Sequence, residues 1–191
     1  MKSFIIRLEN YSNSVEWARR TFESGLKHNW TVDYFSGIDG KQRTLKDFDL
    51  LPNTAYKKNK TAFDRLGTVG CLLSHYLLWK HCVEINESIC ILEHDVTIHA
   101  PLPTLNFTDV IKLSTGPKAK PTPFGNWWGG AMAYCVSPQG ASKLINFSKL
   151  HGVMPADVML SDGIVDLKFF EPVNTLVTYV TDNFSFTWDL K

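Results

Sequence analysis

The chain has 191 residues, enough for one domain, residues 1–191, with a real hydrophobic core. Hydrophobic residues make up 44% and charged residues 20%, which excludes a disordered chain. A formal net charge of +1 leaves no global basic field for a polyanion, so nucleic acid is not an expected partner. In chain order, residues 4–8 form a short apolar run and a first strand. Ser14 is placed to cap a helix reaching about His28, in which Val15, Ala18, Phe22 and Leu26 share one face. Residues 31–35 read as a second strand and Gly37-Ile38-Asp39-Gly40 as a turn. This strand–helix–strand opening predicts a parallel α/β sheet.

Residues 41–65 show no clear period, and Lys57-Lys58-Asn59-Lys60 is a basic cluster, most simply a solvated loop. From Gly67 to Glu84 a helix is predicted that is apolar over much of its circumference and therefore well buried. Its glycine-bearing start offers free backbone N–H groups, a weak anion signal by itself. Residues 88–92 form an uninterrupted apolar strand of the kind covered on both faces. Residues 110–113 and 131–136 are further strands. Between them, residues 118–128 are rich in Pro, Gly and Trp and read as an irregular loop, in which Trp127 and Trp128 are equally a hydrophobic cover or an aromatic wall for a ligand, and Lys118 and Lys120 are most simply solvated. Ser137 caps a helix with Pro138 at its first position. Residues 169–180 hold one or two late strands.

The four cysteines, Cys71, Cys82, Cys90 and Cys135, include no C-x-x-C pair. They read as small hydrophobes of a reduced, cytoplasmic protein, and these spacings give no reason to expect zinc. The apolar run near the start is too short for a signal peptide, and no run approaches the ~18 residues of a membrane span. Asn29, Asn86, Asn106 and Asn183 open N-x-S/T patterns, which carry little weight without a secretory signal.

Chemistry concentrates where the apolar strand stops, at Ile91-Leu92-Glu93-His94-Asp95. Ligands of open α/β sheets bind at the carboxyl ends of strands. Continued strand geometry would point Glu93 and Asp95 the same way. Two such carboxylates repel, and a divalent cation between them removes the conflict. Hard oxygen ligands suit Mn²⁺ or Mg²⁺, which complete their shell with water and substrate phosphates.

Gly67-x-x-Gly70-Cys71-x-x-Ser74-His75-x-x-x-Trp79 followed by Ile91-Leu92-Glu93-x-Asp95-Val96 resembles glycosyltransferase family 25. The likeness continues through Ala133-Tyr134-x-x-Ser137-x-x-Gly140-Ala141-x-Lys143-Leu144, Pro155-x-Asp157 and Pro172, and it includes Phe35-x-Gly37-Ile38-Asp39-Gly40. The resemblance implies an α/β, GT-A-like single domain with a mixed, mainly parallel sheet flanked by helices. It implies hexose transfer, of galactose or glucose, from a UDP-sugar with inversion, dependent on Mn²⁺ or Mg²⁺. Asp95 and Glu93 become the metal candidates, with Asp95 the stronger. Asp157 becomes the candidate catalytic base, its plainer alternative being a helix cap. Leu8, Asn10, Gly67, Ser74, His75, Glu93 and His94 become candidates for donor binding. Plainer readings stand beside these: His75 as a satisfied core histidine, Ser74 bonding its own helix, and His94 simply packing.

The chain departs from the family pattern at His94, the middle of a triplet usually Glu-Asp-Asp, at Asn10 and Ser14 in place of arginines, and at Thr68 in place of an acid. A catalytically impaired nucleotide-sugar or glycan-binding module of the same fold is therefore the alternative. The implied partners are a nucleotide sugar and a saccharide or glycolipid acceptor, the latter compatible with a cytoplasmic protein peripheral at a membrane surface. Asp182 and Trp188 could fold back over the site.

Overall fold

The computed structural model describes residues 1–114 and 118–180. Asp182, Asn183 and Trp188 lie outside them. The chain opens with β1 (Lys2–Arg7), α1 (Ser12–Lys27) and β2 (Thr31–Ser36), and the two strands pair in parallel. A 3₁₀ turn at Leu45–Phe48 and the short α2 (Asn59–Ala62) occupy the segment without period. Then come α3 (Leu66–Ile85), β3 (Ile89–Glu93), β4 (Val96–Ile98) and β5 (Val110–Lys112). The rest consists of β6 (Ala119–Thr122), β7 (Gly125–Trp128), β8 (Ala133–Val136), α4 (Pro138–His151), α5 (Ala156–Met159), β9 (Leu167–Phe169) and β10 (Val177–Tyr179).

Six strands form the main sheet in the order β2-β1-β3-β8-β5-β9. The β2-β1-β3 side is parallel, β8 runs antiparallel to both of its neighbours, and β9 is parallel to β5. The expected mixed, mainly parallel sheet flanked by helices is therefore present. Two small ribbons accompany it, β4 with β10 and β6 with β7.

The central strand β3 shows why the sheet has two covered faces. Ile89 and Ile91 pack on one side with Leu72 and Trp79 of α3 and Leu144 of α4. Cys90 and Leu92 pack on the other with Ala18 of α1, Trp30 and Ile98 of β4. All four strand side chains are fully buried, which is what an unbroken apolar run at the middle of a sheet requires.

Two local expectations change. Helix α1 begins at Ser12 with extended Tyr11 before it, so Ser14 is not the cap. Ser14 lies inside the first turn, buried, and its hydroxyl accepts the Leu8 backbone N–H at 2.9 Å, tying α1 to the end of β1. Residues 118–128 are not irregular: β6 and β7 form an antiparallel hairpin, with Ala119 opposite Trp128 and Pro121 opposite Asn126. A two-stranded ribbon has an outer edge where a missing N–H is harmless, so Pro121 does not forbid the strand. The cap of α4 is as expected: Ser137 accepts the Gly140 N–H at 3.0 Å, with Pro138 at the first helical position.

The start of α3 is seated by backbone contact. A Cβ on Gly70 would strike the Ile38 carbonyl, and one on Gly40 would strike the Leu66 carbonyl. Only glycine allows the 37–40 loop to lie on the first turns of the helix. Ser74 closes the contact, donating to the Gly70 carbonyl at 2.7 Å and accepting the Ile38 N–H at 2.8 Å. Gly40→Ala is expected to cost about 1–3 kcal/mol through overpacking, read as a lower urea midpoint. An unchanged midpoint would show that the loop does not rest on the helix.

Candidate active site

The site is built where β3 ends. By strand alternation Glu93 follows Ile89 and Ile91 onto the α3 side of the sheet. There it meets residues one turn apart on α3. His75 Nε2 lies 3.7 Å and Cys71 Sγ 3.9 Å from Glu93 Oε1. The strand stops at Glu93, and residues 94–95 form a turn before β4. Thr21 Oγ1 of α1 holds that turn, 2.7 Å from the carbonyl oxygens of both His94 and Val96. Asp95 then sits beside β10, where its carbonyl accepts the Val180 N–H at 2.9 Å.

A narrow cleft of about 70 Å³ gathers most of the residues expected to bind the donor. Leu8, Gly67, Ser74, His75, Glu93, His94 and Asp95 all line it. Asn10 does not; it borders a separate surface hollow with Tyr11, Asp39 and Arg43. Asp157 does not either. It lies in a wider cavity of about 500 Å³ beside Lys120 and Trp127 of the hairpin, Lys58 and Arg65. Glu93, Cys71 and Tyr179 border both spaces, so the cleft and the wider cavity meet at the end of β3. Trp128 turns away and packs on Phe169.

Several plainer readings describe what these side chains do here. His75 is fully buried, and its Nδ1 lies 2.8 Å from the Tyr134 hydroxyl, which also accepts Trp79 Nε1–H at 2.8 Å. Its Nε2 has no hydrogen-bond partner among the described residues and faces Glu93. His75 is thus both a core residue and a wall of the cleft. Ser74 spends its hydroxyl on the helix and the 37–40 loop. The His94 ring stacks on Trp17 at 5.7 Å, so its place in the Glu-His-Asp triplet serves packing against α1.

The electrostatics differ sharply between the two carboxylates. Burial pushes Glu93 up, but the close approach of His75, with His94 and Cys71, outweighs it and holds Glu93 below its ordinary range. Asp95 has only a Tyr179 hydrogen bond and a backbone N–H to oppose burial. Burial first, then the Glu93 charge, push it up to about 7, and its Oδ1 is buried without a hydrogen-bond partner among the described residues. A hard cation fits this pair, since it would satisfy that oxygen and remove the repulsion. Asp157 is raised by burial, against the opposing charge of Lys112. Burial pushes the Cys71 thiol well up, with the Glu93 charge adding to it.

Sequence reasoning missed Lys112, Tyr134 and Tyr179. Lys112 sits inside a strand with its side chain buried, and its Nζ donates to the Trp128 carbonyl at 2.6 Å, fastening the hairpin to the sheet. Burial lowers that ammonium to about 8 despite the nearby Asp157 and Glu93 charges. A lysine within an apolar strand was the available signal. Tyr134 carries both the His75 and Trp79 hydrogen bonds, and its place in the Ala133-Tyr134 stretch was its signal.

Two predictions follow from these groups. Asp95 has an ordinary value of 3.8 and a folded value of about 7, so the folded state binds more protons between these limits. Its contribution to stability is full below about pH 4 and is lost as pH rises through about 7. Asp95→Asn should therefore raise the metal-free urea midpoint relative to the parent at pH 8 and change it little at pH 4; the reverse order would contradict the assigned burial. Tyr134→Phe leaves Trp79 Nε1–H and His75 Nδ1 without their shared partner and should cost about 1–3 kcal/mol per group left unpaired, measured by the same titration.

Among the described residues no helix is long and apolar enough to cross a membrane. The chain is 27% identical over 180 residues to a glycosyltransferase 25 family member of Aedes aegypti, covering 80% of this chain and 29% of that protein. It is 26% identical over 158 residues to one of Anopheles gambiae, covering 68% and 26%. The chain thus spans less than a third of either relative. In structure it is similar to the apo glycosyltransferase GlyE of Streptococcus pneumoniae, with a TM-score of 0.47 and 12% identity over 88% of this chain and 44% of that one. The family model described as Glycosyltransferase family 25 (LPS biosynthesis protein) matches residues 1–115, more than half of the sequence and the stretch holding both the α3 motif and Glu93-His94-Asp95, so the chain belongs to glycosyltransferase family 25.

Proposed function

We propose that this chain transfers a hexose, galactose or glucose, from a UDP-sugar to a saccharide hydroxyl. The observation that carries the reading is the position of Glu93, which borders both the cleft holding Asp95 and the wider cavity holding Asp157. Donor and acceptor ends of one reaction then meet at the carboxyl end of β3, where open α/β sheets bind ligands.

Asp95 and Glu93 would hold Mn²⁺ or Mg²⁺, which when bound supplies positive charge to the leaving diphosphate. The chain's own residues do the rest. Asp157, raised by burial, is the base: it takes the proton of the acceptor hydroxyl as that oxygen bonds to the anomeric carbon. The bond from that carbon to the diphosphate breaks, and UDP leaves with the electron pair. Attack from the face opposite the diphosphate inverts the anomeric carbon. Lys58, Arg65 and Lys120 border the same cavity and add cationic charge near a diphosphate. Trp127, with Lys120 Nζ 5.2 Å from its ring centroid, offers an aromatic face to the apolar side of a sugar. The acceptor is a saccharide or glycolipid.

The test is a UDP-sugar panel with and without Mn²⁺, run on the parent, Asp95→Ala and Asp157→Asn. Asp95→Ala should lose metal-dependent turnover. Asp157→Asn should keep UDP binding while turnover falls about 10²- to 10⁴-fold. Full metal-dependent turnover in Asp95→Ala would refute the assignment. UDP binding by the parent without transfer from any donor would instead identify a binding module.

A further inference from the structure

We propose that Cys71 Sγ, His75 Nε2 and a Glu93 carboxylate oxygen form a binding site for one thiophilic divalent cation of the Zn²⁺ class, which shares Glu93 with the hard-cation pair but not Asp95. Cys71 and His75 stand at i and i+4 on α3 and so project from one face of the helix. Strand alternation brings Glu93 to the same face. The three candidate ligand atoms lie within 4.8 Å of one another, with Glu93 Oε1 at 3.7 Å from the imidazole and 3.9 Å from the sulfur. Bonds of roughly 2.0–2.3 Å around a tetrahedral ion set its ligand atoms about 3.3–3.8 Å apart. Shifts of a few tenths of an ångström, and at most about 1.3 Å on the sulfur–imidazole edge, convert the resting triangle into a coordination face.

The donor set also selects the metal. Sulfur, imidazole and one carboxylate suit Zn²⁺ far better than Mn²⁺ or Mg²⁺, which prefer oxygen. His75 contributes a second, independent observation: it is fully buried, and its Nε2 lacks a hydrogen-bond partner among the described residues while lining the cleft. Its other nitrogen is already held by Tyr134, whose oxygen is in turn held by Trp79 Nε1–H. Metal-bound histidines generally have such an outer partner, which fixes the ring and its tautomer. Binding requires His75 to carry its proton on Nδ1, donated to the Tyr134 oxygen, and requires Cys71 to release its thiol proton to solvent. Cys71 and Glu93 are both partly exposed to the cleft, so an ion can enter and its fourth position faces the cleft, open to water. The other three cysteines are buried in the core.

The test uses the reduced, chelator-stripped chain titrated with Co²⁺ and then Zn²⁺. One Co²⁺ per chain is expected, with a thiolate-to-metal charge-transfer band in the near ultraviolet that Zn²⁺ abolishes. Cys71→Ser, checked for folding by circular dichroism, should lose the band and weaken Zn²⁺ binding at least about tenfold, measured against a chromophoric chelator. Asp95→Asn, which leaves Cys71, His75 and Glu93 in place, should keep the band and most of the Zn²⁺ affinity, which distinguishes this site from the hard-cation pair whatever becomes of the transferase reading. Absence of the band in the parent, its survival in Cys71→Ser, or Zn²⁺ affinity lost in Asp95→Asn but kept in Cys71→Ser would each overturn the proposal.

Discussion

Two carboxylates are drawn out of water where β3 ends, and much of the local architecture answers that constraint. Ionised carboxylates are costly to bury unless paired. Glu93 is compensated by His75 and Cys71 from α3, which keeps it ionised. Asp95, one turn of chain further on, is not compensated to the same degree and is pushed up to about 7. The asymmetry arises because β3 stops between them. Glu93 keeps strand parity and joins the α3 side, whereas Asp95 follows a turn pinned by Thr21 of α1.

That arrangement depends in turn on how α3 is seated. Gly70 and Gly40 let the 37–40 loop rest on the helix backbone, and Ser74 joins the two by hydrogen bonds. Gly40, Gly70 and Ser74 are therefore packing devices, and by fixing the helix they fix Cys71 and His75 relative to Glu93. On the same side of the sheet, Lys112 ties the β6–β7 hairpin down and lies in the field of Asp157. The cleft is thus lined by α3, the wider cavity by α3 together with the hairpin and α5, and Cys71, Glu93 and Tyr179 border both.

Glycosyltransferase family 25 membership and a candidate metal site at one strand end sit together without strain, because the residues that match the family are those whose backbone and packing demands are most specific. His94, the departure within the triplet, is absorbed by stacking on Trp17. The aromatic contact explains how an imidazole is accommodated there.

What the sequence determined alone was local and periodic. The apolar run before Glu93 required a two-faced strand, the all-round apolar helix after Gly67 required burial, and Ser137-Pro138 required a helix start; each is set by neighbours a few residues away. The hairpin at 119–128 and the true start of α1 were not legible, since Pro121 and Ser14 owe their roles to partners across the ribbon and at the end of β1. Nor was the meeting of Cys71, His75 and Glu93. Their distances depend on the packing of α3 against β3, and no sequence spacing encodes the gap between two elements. For the same reason only the tertiary structure placed Asp157 and Asp95 in different spaces with Glu93 between them.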